Sequence, residues 1–137
     1  MSKFIEIIEV GPRDGLQRES TPISTDDKIR MIHNLVDAGI NSIQVTSFVH
    51  PKYVPQMADA EAVVSSLPDD PTVEYIGLVL NKRGALRALA TREGNKRGVD
   101  ELGAVVTASN TFGEKNQGQT ADESIEVSKE IVKLARE

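Results

Sequence analysis

Cysteine is absent from this chain of 137 residues, which excludes a disulfide framework, a thiolate metal site and a cysteine nucleophile. No apolar run approaches the length of a membrane-spanning helix, and residues 1–3 lead into an apolar segment without the features of a signal peptide. Positive charge is also not in excess, since the net charge is −5. We therefore expect a cytoplasmic protein whose main partner is neither nucleic acid nor a membrane.

Apolar and amphipathic segments alternate along the whole chain, which is the pattern of βα units around a parallel sheet. Predicted strands begin near residues 4, 42, 73 and 101, so each unit takes about 30 residues. A complete (β/α) barrel needs about 250 residues and eight such units. The predicted fold class is therefore α/β, a parallel barrel of the TIM type, of which this chain holds about four units. The predicted strands are residues 4–10, 42–49, 73–80 and 101–108.

Helix boundaries are marked by capping signals. Ser24, followed by acidic residues, is typical of a helix start, and Gly39 is typical of a helix end. Thr120 and Glu123 form a capping box, and the apolar stripe after them predicts a last helix that reaches Glu137 without a Gly, Asn or Pro to end it. We therefore predict that residues 1–137 are the N-terminal half of a barrel domain, as a truncated form, a split gene product or an incomplete reading frame.

The segment EVGPRDGLQRE, residues 9–19, follows the first predicted strand directly. Gly11 and Gly15 permit a tight turn, while Pro12 fixes one dihedral angle and removes a hydrogen-bond donor. Arg13 and Asp14 therefore lie where a strand ends, and in parallel sheets and barrels that end lines the ligand site. A simple strand–helix turn with a solvated ion pair explains the same residues on general turn chemistry.

Three blocks of the sequence, taken in order, resemble one enzyme family. The first is GPRDGLQ followed by Glu19, the second is TSFVHPKYVPQMAD at residues 46–59, and a weaker third covers residues 108–116. They resemble the 3-hydroxy-3-methylglutaryl-CoA lyase branch of the DRE-TIM metallolyases, across the first half of that family's barrel. The resemblance implies a carbon–carbon lyase that uses a divalent cation, Mg²⁺ or Mn²⁺, to cleave a 3-hydroxyacyl-CoA to acetyl-CoA and a keto acid, acetoacetate.

The resemblance also implies roles for the charged pair. Asp14 matches a ligand of the divalent cation, and hard cations prefer carboxylate oxygen. Arg13 matches the residue that polarises the carbonyl oxygen on which the leaving enolate builds charge. Gln17 and Ser47 are candidates to hydrogen-bond substrate at the same end of the strands. A turn-stabilising role explains Gln17 equally well.

Other polar residues fall in predicted loops. Lys115 and Asn116 follow the fourth predicted strand, and the resemblance suggests that they lie near the acyl-CoA chain; a solvated loop charge is the alternative. His33 lies within a predicted helix and His50 follows the second predicted strand, and we interpret them as packing and surface residues.

Two features depart from the resembled family. The family has Glu on the second strand where this chain has Gln44, which keeps the shape and the hydrogen bonds but cannot hold a proton or pair with Arg13 by charge. The family's H-x-H metal ligands and its cysteine on a Gly-rich loop belong to the second half of the barrel and do not occur in this sequence. We therefore expect this isolated half to be inactive.

Two other functions stay open. One is a condensing relative of the isopropylmalate or homocitrate synthase kind, although those enzymes carry an LRDG-type opening where this chain has Gly11 and Pro12. The other is a non-catalytic fragment or assembly module, which the missing ligands support.

A half-barrel would leave strand edges open at residues 4–10 and 101–108. We therefore expect a homo-oligomer, or binding to a complementary C-terminal half, in addition to an acyl-CoA substrate. We also expect four apolar side chains to face the missing opposite wall of the barrel: Ile43, Val45, Ile76 and Val105.

Overall fold

The computed structural model describes residues 4–137, so the predicted absence of a signal peptide at residues 1–3 falls outside the described residues. Its sheet is parallel, with the strands in chain order, and helices alternate with them as predicted. The strands are β1 (Ser42–Ser47), β2 (Glu74–Val79) and β3 (Glu101–Ala104). The helices are α1 (Thr25–Asp37), α2 (Ala60–Ser65), α3 (Lys82–Ala90), α4 (Asn110–Gln117) and α5 (Ala121–Arg136). A π-helical turn spans Gly11–Gly15, and 3₁₀ turns span Pro55–Met57 and Glu93–Asn95.

Two helices begin at their predicted caps. The Ser24 hydroxyl accepts the Asp27 N–H at 3.1 Å before α1, and Gly39 follows that helix with a φ of 90°. Thr120 and Glu123 exchange capping-box hydrogen bonds at the start of α5. No helix within residues 4–137 combines the length and the apolarity that crossing a bilayer requires.

The predicted first strand is wrong. Residues 4–10 meet the sheet through one parallel bridge, in which the Glu9 N–H donates to the Ser42 carbonyl at 2.9 Å and the Gln44 N–H donates to the Glu9 carbonyl at 2.8 Å. Phe4 is 91% exposed and Ile5 is 79% exposed. The segment has strand-like residues, but a strand is stabilised by packing on its faces, and both faces of this one are open in the described chain.

The fourth predicted strand is too long, because β3 ends at Ala104. The chain then enters α4, which starts where the Ser109 hydroxyl accepts the Phe112 N–H and ends at Gly118 with a φ of 66°. Lys115 and Asn116 therefore lie on a helix, and their assignment to a loop is wrong. The missed signals were a serine cap and a glycine suited to a left-handed helix end.

The core lies between the helices and one face of the sheet. A Cβ atom on Gly77 would lie 2.7 Å from the Phe48 ring, and one on Gly84 would lie 2.8 Å from the Phe48 carbonyl oxygen. Glycine at both positions therefore lets β2 and α3 close around Phe48. The buried cluster includes Ile32, Ile43, Val45, Phe48, Val63, Tyr75, Val79, Ala85 and Ile131. Ile43 and Val45 belong to this helix-covered core, so their assignment to the barrel interior is wrong.

A β-bulge in β1 determines which side chains of this strand lie on the opposite face of the sheet. Pairing shifts between Gln44 and Thr46, so that Gln44 lies opposite Ile76 and Ser47 lies opposite Leu78. Ile76 and Leu78 are two residues apart on β2 and share a face. Gln44 and Ser47 therefore also share that face, although three positions separate them and simple alternation would place them on opposite faces.

Tyr75 and Arg97 join β2 to the loop before β3. The Tyr75 hydroxyl donates to the Pro68 carbonyl at 2.9 Å, and the Arg97 guanidinium lies 4.6 Å from the centre of the Tyr75 ring. Burial raises the pKa of Tyr75 from its ordinary value of 10.0, while the Arg97 charge lowers it in partial opposition.

We expect Tyr75 to ionise at a higher pH in the folded chain than in the unfolded chain. Because the folded state holds the phenol proton more tightly, the resulting contribution to the free energy of unfolding is complete below pH 10 and is lost as the pH rises through the folded-state pKa. The chain has two tyrosines and no tryptophan, so tyrosinate absorbance of the Tyr53→Phe variant reports Tyr75 alone. Equal midpoints of the tyrosinate titration for the folded chain in buffer and the unfolded chain in urea would contradict a raised pKa of Tyr75.

Candidate functional site

The π-helical turn Gly11–Gly15 carries Arg13 and Asp14 toward the C-terminal end of β1. Glu9 lies opposite Ile43 in a parallel bridge, so the residues after it continue in the direction of β1. The Gly15 N–H donates to the Val10 carbonyl, five residues earlier, at 3.4 Å, which is the hydrogen bond of a π-helical turn. Turns of this wide type occur frequently at functional sites.

Arg13 is the centre of a small polar cluster. Its Nε donates to Gln44 Oε1 at 2.5 Å, and its Nη1 lies 3.1 Å from Asp14 Oδ1. We call Arg13, Asp14 and Gln44 the Arg13 cluster. The Arg13 side chain is 17% exposed and that of Asp14 is 44% exposed. Burial lowers the pKa of Arg13, Asp14 raises it and Arg18 lowers it, but guanidinium remains charged at neutral pH.

Two candidate substrate-binding residues carry polar atoms without partners. Ser47 is fully buried, and neither its Oγ nor the buried Oε1 of Gln17 has a hydrogen-bond partner among the described residues. A buried polar atom without a partner costs about 1–3 kcal/mol. Ser47 shares a sheet face with Gln44, and Gln17 follows Arg13 by one helical turn. A ligand with a matching polar group would relieve this cost at either position.

Gln17 also lines a cavity of about 450 Å³ between the segment after the π-helical turn and the loop after β1. The cavity walls are mixed, because apolar side chains lie beside the Gln17 amide. Tyr53, on one wall, is 80% exposed. The other lining residues include Glu19, Pro22, Val54, Pro55 and Gln56. This cavity therefore begins one helical turn from Arg13 and has room for part of a ligand.

Lys115 and Asn116 lie on α4, which carries no residue of the Arg13 cluster. Both are exposed on α4, and the Asn116 amide donates to the Phe112 carbonyl of the same helix at 2.9 Å. The main packing partner of α4 is α5. Within residues 4–137, no hydrogen bond or ion pair joins these two residues to the Arg13 cluster.

The described residues do not fit a divalent cation by themselves. In residues 4–137 no group of three His, Asp or Glu side chains is arranged to hold a metal ion. Mg²⁺ prefers about six oxygen ligands, whereas Asp14 offers one carboxylate, and one of its oxygens already contacts Arg13. His50 is exposed in the loop after β1, where its Nδ1 accepts the Lys52 N–H at 3.1 Å.

Gln56, near the end of the second sequence block, forms three hydrogen bonds that the sequence alone did not predict. Gln56 Oε1 accepts the Ile23 N–H at 3.0 Å. Its Nε2 donates to the carbonyls of Glu19 and Thr21 at 3.3 and 3.0 Å. Gln56 therefore fixes the segment that follows Gln17.

A partly buried ion pair extends these hydrogen bonds into α1. Lys28 is 5% exposed, and its Nζ lies 2.8 Å from Asp59 Oδ1 and donates to the Gln56 carbonyl. Thr25 donates to the other Asp59 oxygen at 2.7 Å. We call Lys28, Gln56 and Asp59 the clasp. A signal was present in the sequence, because Lys28 lies four positions before Ile32 on the buried face of α1.

The parallel βα sheet carries the Arg13 cluster at the C-terminal end of its strands, which is where (β/α) barrel enzymes have their ligand sites. The family model described as HMGL-like matches residues 4–137. The chain therefore belongs to the HMGL-like family, as the sequence resemblance indicated.

Known relatives are longer than this chain. Hydroxymethylglutaryl-CoA lyase YngG of Bacillus subtilis is 41% identical over 129 residues, covering 94% of this chain and 41% of the relative. A crystal structure of the Bacillus subtilis HMG-CoA lyase superimposes with a TM-score of 0.90 and 38% identity, covering 98% of this chain and 43% of that one. An HMG-CoA lyase from Acinetobacter baumannii, solved with coenzyme A and 3-methylmalate, gives 0.87 and 37%, covering 97% and 43%. The chain spans about two fifths of their length.

We expect Gln56→Ala to destabilise the chain by about 1–3 kcal/mol, because it removes three hydrogen bonds and leaves their backbone partners unpaired. Urea unfolding measures this loss, with Gln117→Ala on α4 as the control. The substitution should also increase the rate of amide exchange at Ile23 more than it increases exchange in β2, because the clasp acts locally. Unchanged stability together with unchanged Ile23 exchange in Gln56→Ala would contradict a stabilising role of the clasp.

Proposed function

We propose that residues 1–137 are the N-terminal half of a lyase barrel domain, and that the completed domain acts in the cytoplasm on an acyl-CoA substrate. The proposed reaction is the metal-assisted retro-Claisen cleavage of a 3-hydroxyacyl-CoA to acetyl-CoA and a keto acid, acetoacetate. The observation that carries the proposal is the Arg13 cluster beside β1 in a chain of the HMGL-like family. The coenzyme A bound to the Acinetobacter relative supports the substrate class.

Arg13 is the proposed catalytic residue. Its guanidinium is fixed by Gln44 and Asp14, so it is pre-oriented toward an oxygen atom that gains negative charge as the carbon–carbon bond breaks. Partial burial strengthens that interaction, because less water screens the charge. Gln44 orients Arg13 but has no proton to exchange at neutral pH, so the proton-transfer groups must come from elsewhere in a completed barrel.

The remaining candidates would bind substrate. Ser47 and Gln17 offer their unpartnered polar atoms, and Lys115 and Asn116, on the helix after β3, would approach the acyl-CoA chain. In a completed barrel Asp14 would be one ligand of a divalent cation, Mg²⁺ or Mn²⁺. Such a cation would supply Lewis-acid chemistry.

A non-catalytic assembly module is the second candidate function. The observation in its favour is that residues 4–137 provide no complete metal-binding group. No comparable observation favours a condensing relative.

We expect the purified chain to show no lyase turnover with 3-hydroxy-3-methylglutaryl-CoA and Mg²⁺ or Mn²⁺, because one carboxylate cannot hold a catalytic cation in a fixed geometry. A coupled assay for acetoacetate measures this, with Asp14→Ala as the control. Turnover by the unsubstituted chain that disappears in Asp14→Ala would show that the site is complete without further residues. Mixing the chain with a second half of a relative's barrel then tests whether activity can be restored.

Self-association, or binding of a complementary half, follows from the exposed segment at residues 4–10. Ile7 and Ile8 are 64% and 49% exposed, in addition to Phe4 and Ile5. Burial of apolar surface contributes about 25 cal/mol per Å², so a partner that covers this segment is favoured. Its open backbone edge offers further hydrogen bonds.

We expect light scattering across a dilution series to show a homo-oligomer at micromolar concentration. Replacing Ile5 and Ile7 by Lys should shift the chain toward the monomer, because each charge would otherwise be buried at the contact. The matched control is Leu86→Lys on α3, because the Leu86 side chain is already 48% exposed before the substitution. A monomer with a cooperative melt at every concentration would contradict self-association.

A further inference from the structure

Position 44 decides the charge around Arg13. The partner of Arg13 Nε is the neutral amide of Gln44, and the adjacent carboxylate is that of Asp14. A second carboxylate of this turn, that of Glu9, accepts the Gly11 N–H at 2.6 Å. The neutral amide at position 44 therefore adds no negative charge beside Arg13, whereas a glutamate there would add one and oppose an anion.

Arg13 has donors left for a ligand. A guanidinium carries five N–H donors, and the hydrogen bonds of Arg13 within the described residues use one on Nε and one on Nη1. The remaining N–H groups can form the paired hydrogen bonds that a carboxylate accepts. The side chain is 17% exposed, so a ligand can reach it while water screens it only in part.

Two neighbouring groups add donors on the same sheet face. Because Gln44 Oε1 accepts from Arg13, the amide nitrogen Nε2 must point away from Arg13. A Cβ atom on Gly103 would lie 3.5 Å from that Nε2, so glycine leaves the space beside it open. Ser47, on the same face, is fully buried with an unpartnered Oγ. The free donors of Arg13 and Gln44 therefore belong to two side chains in direct contact, and Ser47 adds an unpaired hydroxyl on the same sheet face.

We propose that the Arg13 cluster binds a carboxylate or similar oxyanion without a divalent cation, and that Gln44 is the residue that gives the site this preference. A glutamate at position 44 would remove the amide donor and add a negative charge beside Arg13. The same change would place a second carboxylate beside Asp14, which favours a hard cation. The proposal concerns binding by this chain alone and does not depend on the proposed lyase reaction.

The first test is anion binding. Malonate is titrated into the metal-free chain at constant ionic strength, with chelator present, while NMR follows the Arg13 Nε–H and Gln44 Nε2 signals. Malonamide, which has the same size and no charge, is the ligand control. We expect malonate to shift both signals and malonamide to shift neither. Equal shifts from both compounds, or malonate binding that requires added Mn²⁺, would overturn the proposal.

The second test exchanges the charge. Gln44→Glu should weaken malonate binding about tenfold or more, because it removes one donor to the anion and adds a negative charge beside it, and the loss of one hydrogen bond to a charged group already corresponds to about that factor. Gln117→Glu adds the same charge on α4, which carries no residue of the Arg13 cluster, and should leave the affinity within about twofold. Undiminished malonate binding by a folded Gln44→Glu chain would overturn the role of Gln44.

The third test measures the cation. Electron paramagnetic resonance of free Mn²⁺ should show tighter binding by Gln44→Glu than by the unsubstituted chain, and Asp14→Asn in the Gln44→Glu background should remove the gain. Should Gln44→Glu fail to fold, Ser47→Ala serves instead: it should weaken malonate severalfold and leave Mn²⁺ binding unchanged. Tighter Mn²⁺ binding by the unsubstituted chain than by Gln44→Glu, or unchanged malonate affinity in Ser47→Ala, would refute the proposal. A failed lyase assay would not affect these affinities.

Discussion

The register of β1 is the constraint on which the site depends. This strand pairs with Glu9 on one side and with β2 on the other, and its bulge shifts the pairing between Gln44 and Thr46. One extra residue brings Ser47 onto the face that Gln44 occupies, while Phe48 packs against Gly77 in the helix-covered core. A shift of one residue would exchange the two faces. Packing of the core and presentation of the polar side chains are therefore set by the same feature.

Arg13 reaches that face from outside the regular sheet. The π-helical turn Gly11–Gly15 is joined to β1 by the Glu9 bridge before it and by the Arg13–Gln44 hydrogen bond within it. The clasp then fixes the chain after Gln17. Arg13 is thus held from both directions, which limits the entropy that a ligand would have to remove. This restraint matters because the turn follows an N-terminal segment with little packing of its own.

The family resemblance and the local physics explain different parts of the chain. The block at residues 46–59 resembles lyases, and in this structure its last residues stabilise a loop and a helix: Gln56 binds three backbone groups, and Asp59 pairs with buried Lys28. The end of the block therefore stabilises the fold of this chain. Gln44 is the opposite case, because it departs from the family pattern at a residue in direct contact with Arg13.

The sequence by itself determined the parallel βα order, the caps of α1 and α5 and the family, because strand periodicity, capping chemistry and motif spacing are local. It also predicted that Arg13 and Asp14 follow a strand-like segment. Tertiary structure alone decided that residues 4–10 join the sheet only through Glu9, since pairing of the rest depends on what covers them. It also decided that Ile43 and Val45 face the helices. Residue alternation separates two faces, but only pairing register and packing against other elements determine which face is the core.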